Sequence, residues 1–296
     1  VDGASNFAVN KQWGFFPAAA FRWSVMNEDW FGTATWLNNL SLRLSAGRSG
    51  NDAISPYMSL ATLNSSMGAW LFDGDKQLSY VPNKLANSNL TWETTDSYNI
   101  GLDFAGWGNR VSIETDAYLS YTHDLLLSVR NSQTTGYNTY YANAGSTRNM
   151  GVELTLATKN ITAPNFKWNT TFTISHNNQI VTDVGSESTV VPTFVNPRNN
   201  TQYMYGYKKG YPVNSLWGYK YEGVWHNVDE LNRNETTHEY VSQIKAGIQG
   251  SGLGHPKYVD VNHDGLLDEN DMVYLGSADA VVQGGLQNTF TLWKRL

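Results

Sequence analysis

Apolar and polar residues alternate along two neighbouring segments, and this alternation constrains the fold more than any other feature of the sequence. Apolar side chains occupy every second position from Tyr98 to Phe104, and most of the second positions from Val111 to Tyr121. Residues 106–109 between the segments read Gly-Trp-Gly-Asn, a composition that favours a tight turn. The pattern therefore predicts two half-buried antiparallel strands joined in a hairpin.

The alternating segments are also long. They run for about ten residues, whereas strands of globular proteins usually have about five or six, and strands that cross a membrane need about nine to eleven. Similar alternation recurs at residues 39–46, 152–156, 168–174, 215–225 and 282–292. The chain is therefore predicted to be all-β, and to form part of a transmembrane antiparallel β-barrel.

The connections between the predicted strands come in two lengths. Tight turns lie at 106–109 and around 163–165, whereas residues 50–90, 131–149, 183–214 and 226–257 form long polar connections. Short turns at one end and long extracellular loops at the other are typical of outer-membrane barrels. Only residues 229–246 have a pattern that a helix would allow, and no apolar run reaches the roughly eighteen residues of a transmembrane helix.

Composition agrees with this fold and narrows the function. Aromatic residues make up 13% of the chain and charged residues 16%, against about 25% charged residues in a typical soluble domain. Aromatic girdles and a polar lumen give barrels this balance, although a secreted β-sandwich would share it. The net charge of −6 argues against nucleic-acid binding, and the lack of cysteine excludes disulfides and thiolate chemistry in this sequence.

The two ends of the chain favour a fragment of a larger protein. The first residues lack the basic start and apolar core of a signal peptide. The last predicted strand, at 282–292, has no partner strand after it. Because an open sheet edge in lipid leaves backbone groups unpaired, a barrel has to close. We therefore expect further strands outside this sequence.

Phrases spread along the chain resemble those of one protein family and occur in that family's order. They read GFFPAAAFRW at 14–23 (with Glu28 and Phe31 after it), LSLRLSAGRSGN at 40–51, LTWETTDSYNIGLDF at 90–104, NAGSTRNMGVEL at 143–154, YKYEGVW at 219–225 and YVDVNHDG at 258–265. Together they resemble the SusC/RagA-like TonB-dependent transporters.

The resemblance implies a barrel of about twenty-two strands with a plugged lumen. It also implies the outer membrane of a Bacteroidetes-type bacterium, a SusD-like surface lipoprotein as lid, and TonB-driven import of oligosaccharides or peptides. Nothing in the sequence resembles the N-terminal plug, the TonB-contacting segment or the final strands. Residues 1–296 are therefore expected to be barrel throughout, with outer-membrane lipid around it. The alternatives are a siderophore or haem receptor, and a secreted β-rich carbohydrate-binding or hydrolytic protein with a calcium loop.

One local motif predicts a structural Ca²⁺ site. Residues 260–271 follow the D-x-[DN]-x-[DN]-G pattern of calcium loops over their first positions. The predicted ligands are Asp260, Asn262, Asp264, the backbone carbonyl of Leu266, Asp268 and Asp271, and Gly265 allows the sharp turn. Aspartate at the last position is shorter than the usual glutamate, so a modest affinity is expected. The alternative is a solvated acidic turn without an ion.

No motif predicts catalysis. The histidines form no H-E-x-x-H pair, and no G-x-S-x-G elbow is present. Asp103, Glu114 and Asp116 fall on the polar side of the first hairpin. A glycosidase pair would need such carboxylates, but a lumen lining or a contact with the plug also explains them. We therefore predict a transporter and not an enzyme.

The aromatic residues fall into two groups. Those at 13–36 are predicted to form an interfacial girdle and barrel exterior, with sugar stacking as the alternative: Trp13, Phe15, Phe16, Phe21, Trp23, Trp30, Phe31 and Trp36. Those in the long connections are better ligand candidates, because lipid does not explain them: Trp70, Phe72, Tyr80, Tyr137, Tyr140, Tyr141, Tyr203, Tyr205 and Tyr207.

Overall fold

The structure is a computed structural model built almost entirely of β-strands. It describes residues 1–31, 34–72, 75–130, 133–137, 139–185, 189–190, 193–195, 202–224, 226, 254, 256–263 and 269–293. The helical turns of this part are short 3-10 helices at Val25–Asn27, Asp29–Phe31, Gln133–Thr135 and Glu269–Asp271. None of the helices in the described ranges is long or apolar enough to span a lipid bilayer.

The strands divide between two compact units, of which the first comprises residues 1–188 and 280–296 and the second residues 189–279. The strands before residue 189 are β1 (Asp2–Gly3), β2 (Trp13–Gly14), β3 (Ala18–Ser24), β4 (Leu37–Asn51), β5 (Thr62–Phe72), β6 (Asp75–Lys84), β7 (Glu93–Gly106), β8 (Val111–His123), β9 (Leu126–Arg130), β10 (Thr139–Asn143), β11 (Ser146–Ala163) and β12 (Phe166–Asp183). The second unit contains β13 (Thr189–Val190), β14 (Thr193–Val195), β15 (Gln202–Tyr205), β16 (Tyr207–Lys208), β17 (Ser215–Tyr219), β18 (Tyr221–Val224), β19 (Pro256–Tyr258) and β20 (Met272–Ser277). Strand β21 (Val282–Leu292) belongs to the first unit.

The first unit is organised around an antiparallel sheet of seven strands in the order β21-β12-β11-β8-β7-β4-β3. Each predicted hairpin is present: β7 pairs with β8, and β11 pairs with β12. Strands β11 and β12 have 18 residues each and β7 has 14, lengths that exceed those of ordinary globular strands. The predicted long antiparallel strands are therefore confirmed, and they extend beyond the predicted segments.

One face of this sheet is apolar and exposed. The register aligns Leu42 with Leu102, and Leu44 with Ile100. On β11, Val152 lies opposite Ala117, and both Ile100 and Val152 are 51% exposed. Because a soluble protein rarely exposes a contiguous apolar surface of this extent, such a face needs lipid or another partner.

The opposite face of the sheet is polar. Ser41 and Asp103 lie opposite each other, as do Ser45 and Asn99, and Glu153 lies opposite Asp116. A sheet that is apolar outside and polar inside has the pattern of a transmembrane barrel wall and reverses that of a soluble barrel.

Aromatic side chains mark the end of the sheet where the short turns lie. Trp36, Phe104 and Trp107 contact one another, with ring centroids 5.5 to 6.2 Å apart. On the paired strands β12 and β21, Trp168 stacks on Phe290 at 5.8 Å. The stretch from Tyr98 to Trp107 measures about 30 Å along the strand, and about 23 Å along the bilayer normal at a tilt of about 40°. This height matches the apolar band of outer-membrane barrels, which is about 25 Å.

A small hydrophobic core lies at the opposite end, where the long connections begin. It consists of Ala4, Phe7, Leu90 and Trp92, with Phe16 packed against it. The prediction of a girdle position is wrong for Phe16, because its ring packs against Trp92 at 5.1 Å. The girdle or exterior position is confirmed for Phe21 and Trp23, which lie opposite Leu44 and Leu42 on the apolar face.

The long connections contain strands of their own. Strands β5, β6, β10 and β9 form a four-stranded sheet, which includes Trp70, Phe72, Tyr80, Tyr140 and Tyr141 of the predicted loop aromatics. Tyr80 is 63% exposed, whereas Tyr141 packs against the core around Trp92. Tyr80 therefore remains a ligand candidate, and Tyr141 has a structural position.

The second unit contains small sheets, of which the largest has the order β14-β15-β17-β20. The alternation at 215–225 predicts one strand, but the chain forms β17 and β18 in different sheets. Trp217 is buried and contacts the rings of Tyr211 and Tyr274 at 4.8 and 5.9 Å. The predicted helical stretch at 229–246 lies outside the described residues.

Candidate functional site

A network of charged side chains lies on the polar face of the seven-stranded sheet. Arg43 Nε donates to Asp103 Oδ1 at 2.9 Å, and Arg43 Nη2 donates to Asp116 Oδ2 at 2.9 Å. Arg22 Nη2 donates to Asp103 Oδ2 at 3.1 Å. The network therefore links four neighbouring strands, β3, β4, β7 and β8, across the polar face.

The strand register explains why these four side chains meet. Arg22 lies directly opposite Arg43, so two positive charges are adjacent, and like charges in this position repel. Asp103 lies between the two guanidinium groups and bonds to both. Gly101 lies opposite both Arg43 and Asp116, and its missing side chain leaves room for Arg43 to reach Asp116.

The network lines a cleft of about 370 Å³. The lining consists of Arg22, Asn39, Arg43, Asp103, Phe104, Ser112, Glu114 and Asp116. Glu114 makes no hydrogen bond or ion pair within the described ranges. The cleft thus presents one unpaired carboxylate beside two that are held by arginines.

This geometry suits binding and positioning. The structure places Asp103, Glu114 and Asp116 on one polar face, as the alternation predicts. Asp103 and Asp116 are both engaged in ion pairs, so neither is an isolated carboxyl group of the kind that a glycosidase uses as its acid. Sequence reasoning did not single out Arg22 and Arg43, although their alternation with Phe21, Leu42 and Leu44 places them on the polar face.

The predicted calcium loop is only partly described. Asp264, Gly265, Leu266 and Asp268 lie outside the described residues, and no cluster of metal-binding acids, histidines or cysteines occurs among the rest. Asp271 is fully buried, and its Oδ1 accepts the backbone N–H groups of Val261 and Asn262 at 2.9 and 3.4 Å. The last predicted ligand therefore folds back onto the start of the loop.

A second group of polar side chains fixes the base of the long connections. Asn143 accepts the Thr91 N–H at 2.8 Å and donates to the carbonyl oxygens of Thr91 and Asp124. Glu93 accepts the Asn51 side-chain N–H at 3.1 Å and the Leu126 backbone N–H at 3.2 Å. Both residues belong to phrases of the sequence resemblance, but nothing in their spacing reveals that they tie distant segments together.

The sequence comparisons agree with this architecture. A family model described as the β-barrel of TonB-dependent receptor-like proteins matches residues 1–262. The chain belongs to this family. It therefore forms part of an outer-membrane β-barrel, and both the predicted fold class and the predicted location are confirmed.

Individual relatives match most of this chain but only a part of their own. A TonB-dependent receptor of Formosa agariphila is 32% identical over 296 residues, which are 98% of this chain and 28% of the relative. The TonB-dependent receptor SusC of Bacteroides thetaiotaomicron is 32% identical over 228 residues, 74% of this chain and 22% of its own. The chain therefore spans less than a third of the length of these relatives.

Solved structures show the same fold. The structure of the RagAB peptide transporter matches 98% of this chain and 29% of its own, with a TM-score of 0.70 and 21% sequence identity. The RagAB peptide importer in its open-open state gives a TM-score of 0.66. The family model and the two receptor sequences, together with this shared fold, confirm the family resemblance predicted from the sequence phrases.

Proposed function

We propose that this chain is part of the wall of an outer-membrane importer that takes up oligosaccharides or peptides by a TonB-dependent mechanism. The observation that carries the proposal is the division of the seven-stranded sheet into two faces. One face is apolar and exposed, and the other is polar and carries the network of charged side chains formed by Arg22, Arg43, Asp103 and Asp116. A polar lumen offers a path for hydrophilic cargo, and an apolar exterior fits lipid. Import would proceed through a conformational change, without the making or breaking of covalent bonds.

Two features support the orientation of this wall. The turns at 107–110 and 164–165 are short and lie at the aromatic end of the sheet. The connections between β4 and β7, between β8 and β11, and between β12 and β21 are long and leave from the opposite end. Because outer-membrane barrels have short periplasmic turns and longer extracellular loops, we place the long connections outside the cell.

The cargo and the partner are inferred from relatives. One relative is named SusC, and the similar solved structure is a peptide transporter, RagAB. On this basis we propose a SusD-like surface lipoprotein that covers the long connections, and TonB contact through a segment outside this chain. Exposed aromatics of the long connections, such as Tyr80, are the candidates for contact with the cargo.

Growth on defined nutrients tests the proposed import. A strain that lacks the gene should fail to grow when one oligosaccharide or peptide mixture is the sole carbon source, yet grow on the corresponding monosaccharides or amino acids. Complementation by the intact gene should restore growth. A defect seen only under iron limitation would instead identify a siderophore or haem receptor.

The proposed plug and closing strands require a longer polypeptide. An antibody against this region should detect, in detergent-extracted outer membranes, a band several times heavier than 33.0 kDa. A membrane band of 33.0 kDa would contradict the proposed TonB coupling. A soluble species of that mass would support a secreted β-rich protein instead.

We further propose that residues 260–271 hold a structural Ca²⁺ ion. The burial of Asp271 and its bonds to the backbone N–H groups of Val261 and Asn262 support this idea, because they hold the last predicted ligand beside Asn262, another predicted ligand. Calcium should raise the melting temperature of the full-length protein, and Asp260→Ala should abolish the increase. Asp279→Ala, which removes a carboxylate bonded to Asn214 outside the loop, is the control. An equal calcium response of wild type and Asp260→Ala would contradict the site.

A further inference from the structure

The apolar face of the seven-stranded sheet ends abruptly near the long connections. One row of residues across the strands, Ala46, Tyr98, Leu119 and Met150, is mainly apolar. The next row on the same face consists of Arg48, Asp96, Tyr121 and Arg148. The second row therefore marks the level at which the outer surface passes from the lipid tails to the polar headgroups.

The two arginines of this row differ in their partners. Arg48 bonds to both oxygens of Asp96, with Nε–Oδ1 and Nη2–Oδ2 distances of 2.7 and 2.8 Å. Arg148 makes no hydrogen bond or ion pair with any described residue, and its Nε is buried without a partner. Arg148 lies two strands away from Asp96, about 10 Å at the usual strand spacing. Asp96 is therefore too far away to pair with Arg148, and it is already paired with Arg48.

A guanidinium group without a counter-charge is unfavourable where water is scarce, so its position points to an anion from outside the protein. Below Arg148 on the same strand and the same face, Met150 and Val152 are 43% and 51% exposed. Beside it, Tyr121 provides an aromatic ring of the kind that lies at the headgroup level. A molecule with acyl chains and a phosphate matches this vertical order of apolar, aromatic and cationic groups.

We propose that Arg148 binds the phosphate group of an outer-leaflet lipid whose acyl chains lie along Met150 and Val152. The planar guanidinium fits a phosphate through paired hydrogen bonds. This site goes beyond the proposed import function. It depends on the outer-membrane location of the barrel and on the outward orientation of the long connections, but not on the identity of the cargo.

Native mass spectrometry of the delipidated full-length transporter in detergent tests the site. The probes are a phosphorylated lipid A, the same lipid without its phosphates, and inorganic phosphate. Wild type should retain the phosphorylated lipid, and Arg148→Gln should retain it about tenfold less well, because a hydrogen-bonded charge is lost. Arg148→Lys, which keeps the charge but not the fork, should retain an intermediate amount.

The matched control is Lys159→Gln, which removes one positive charge from the same strand. Lys159 aligns with Asn169 on the opposite, polar face, so lipid retention should not change. Equal retention by wild type and Arg148→Gln would overturn the proposal. If wild type retained the lipid without phosphates as well as the phosphorylated lipid, the contact would be with the acyl chains alone and the phosphate site would be refuted. If millimolar inorganic phosphate displaced the lipid, Arg148 would bind a free anion and not a lipid.

Circular dichroism and melting curves of each variant would show that it is folded. An import assay on the Arg148→Gln variant separates the hypothesis of a lipid site from the hypothesis of an import function. Loss of lipid retention with normal import supports the lipid site on its own, and normal lipid retention in a protein that imports nothing would contradict only the proposed function.

Discussion

The substitution Gly101→Ala tests the charged network on the polar face. A Cβ atom at residue 101 would lie 2.6 Å from Asp116 Oδ1 and 2.7 Å from Arg43 Cζ. Such distances are too short for non-bonded contact, so the Arg43–Asp116 ion pair would have to separate. Alanine would otherwise be favoured over glycine in a strand by about 0.5–1 kcal/mol.

The size of the effect follows from the exposure of the pair. The side chains of Arg43 and Asp116 are 33% and 26% exposed. Separation of an exposed pair costs about 0.2–1 kcal/mol, and loss of one partner of a buried pair costs about 3–5 kcal/mol, so separation of this half-buried pair should cost about 2 kcal/mol. After the gain from alanine, Gly101→Ala should destabilise the protein by about 1 kcal/mol.

Tryptophan-fluorescence melting of the full-length protein in detergent provides the assay, and a lowering of the melting temperature by about 1–3 °C is expected. In an Arg43→Ala background, the same substitution should cost less, because most of the obstructing atoms are gone. Gly285→Ala on the same face, whose Cβ would meet only Thr173 Oγ1 at 3.3 Å, is the control. A penalty that persists unchanged without Arg43 would refute the reasoning.

Two further substitutions test the base of the long connections. Trp92→Ala removes a buried ring that packs against Phe7 at 5.5 Å and should cost about 3–5 kcal/mol of stability; a loss below about 1 kcal/mol in the same melting assay would show that this core is not needed. Asn143→Ala leaves the N–H and carbonyl groups of Thr91 without their partner and should cost about 1–3 kcal/mol. Faster hydrogen exchange of the Thr91 amide should accompany it, and unchanged exchange would argue against the assigned role.

The fold of the barrel wall could be predicted from the sequence because its signal is local. Each of the long strands carries its own alternation, so Ile100 and Asp103 reveal their faces without knowledge of the partner strand. The position of Phe16 could not be predicted in this way. Its neighbours in sequence are aromatic and suggested a girdle, but its environment depends on Trp92, which is distant in sequence.

The candidate site was predictable in part for the same reason. Alternation places Asp103, Glu114 and Asp116 on one face, whereas the contact of Arg43 with two of them depends on the register between β4, β7 and β8. The role of Asn143 is harder still, because it bonds to backbone groups of Thr91 and Asp124. Such contacts leave no pattern of side-chain types in the sequence.

A barrel wall requires that one face of the seven-stranded sheet meets lipid and that the other meets a polar lumen. Spin labels placed one at a time at positions 98–104 of the full-length protein in lipid vesicles would distinguish the two faces through collisions with oxygen and with a water-soluble nickel complex. Labels at Tyr98, Ile100 and Leu102 should respond mainly to oxygen, which is concentrated in lipid, and labels at Asn99, Gly101 and Asp103 should not. A response to both reagents without this alternation would contradict the barrel wall described here.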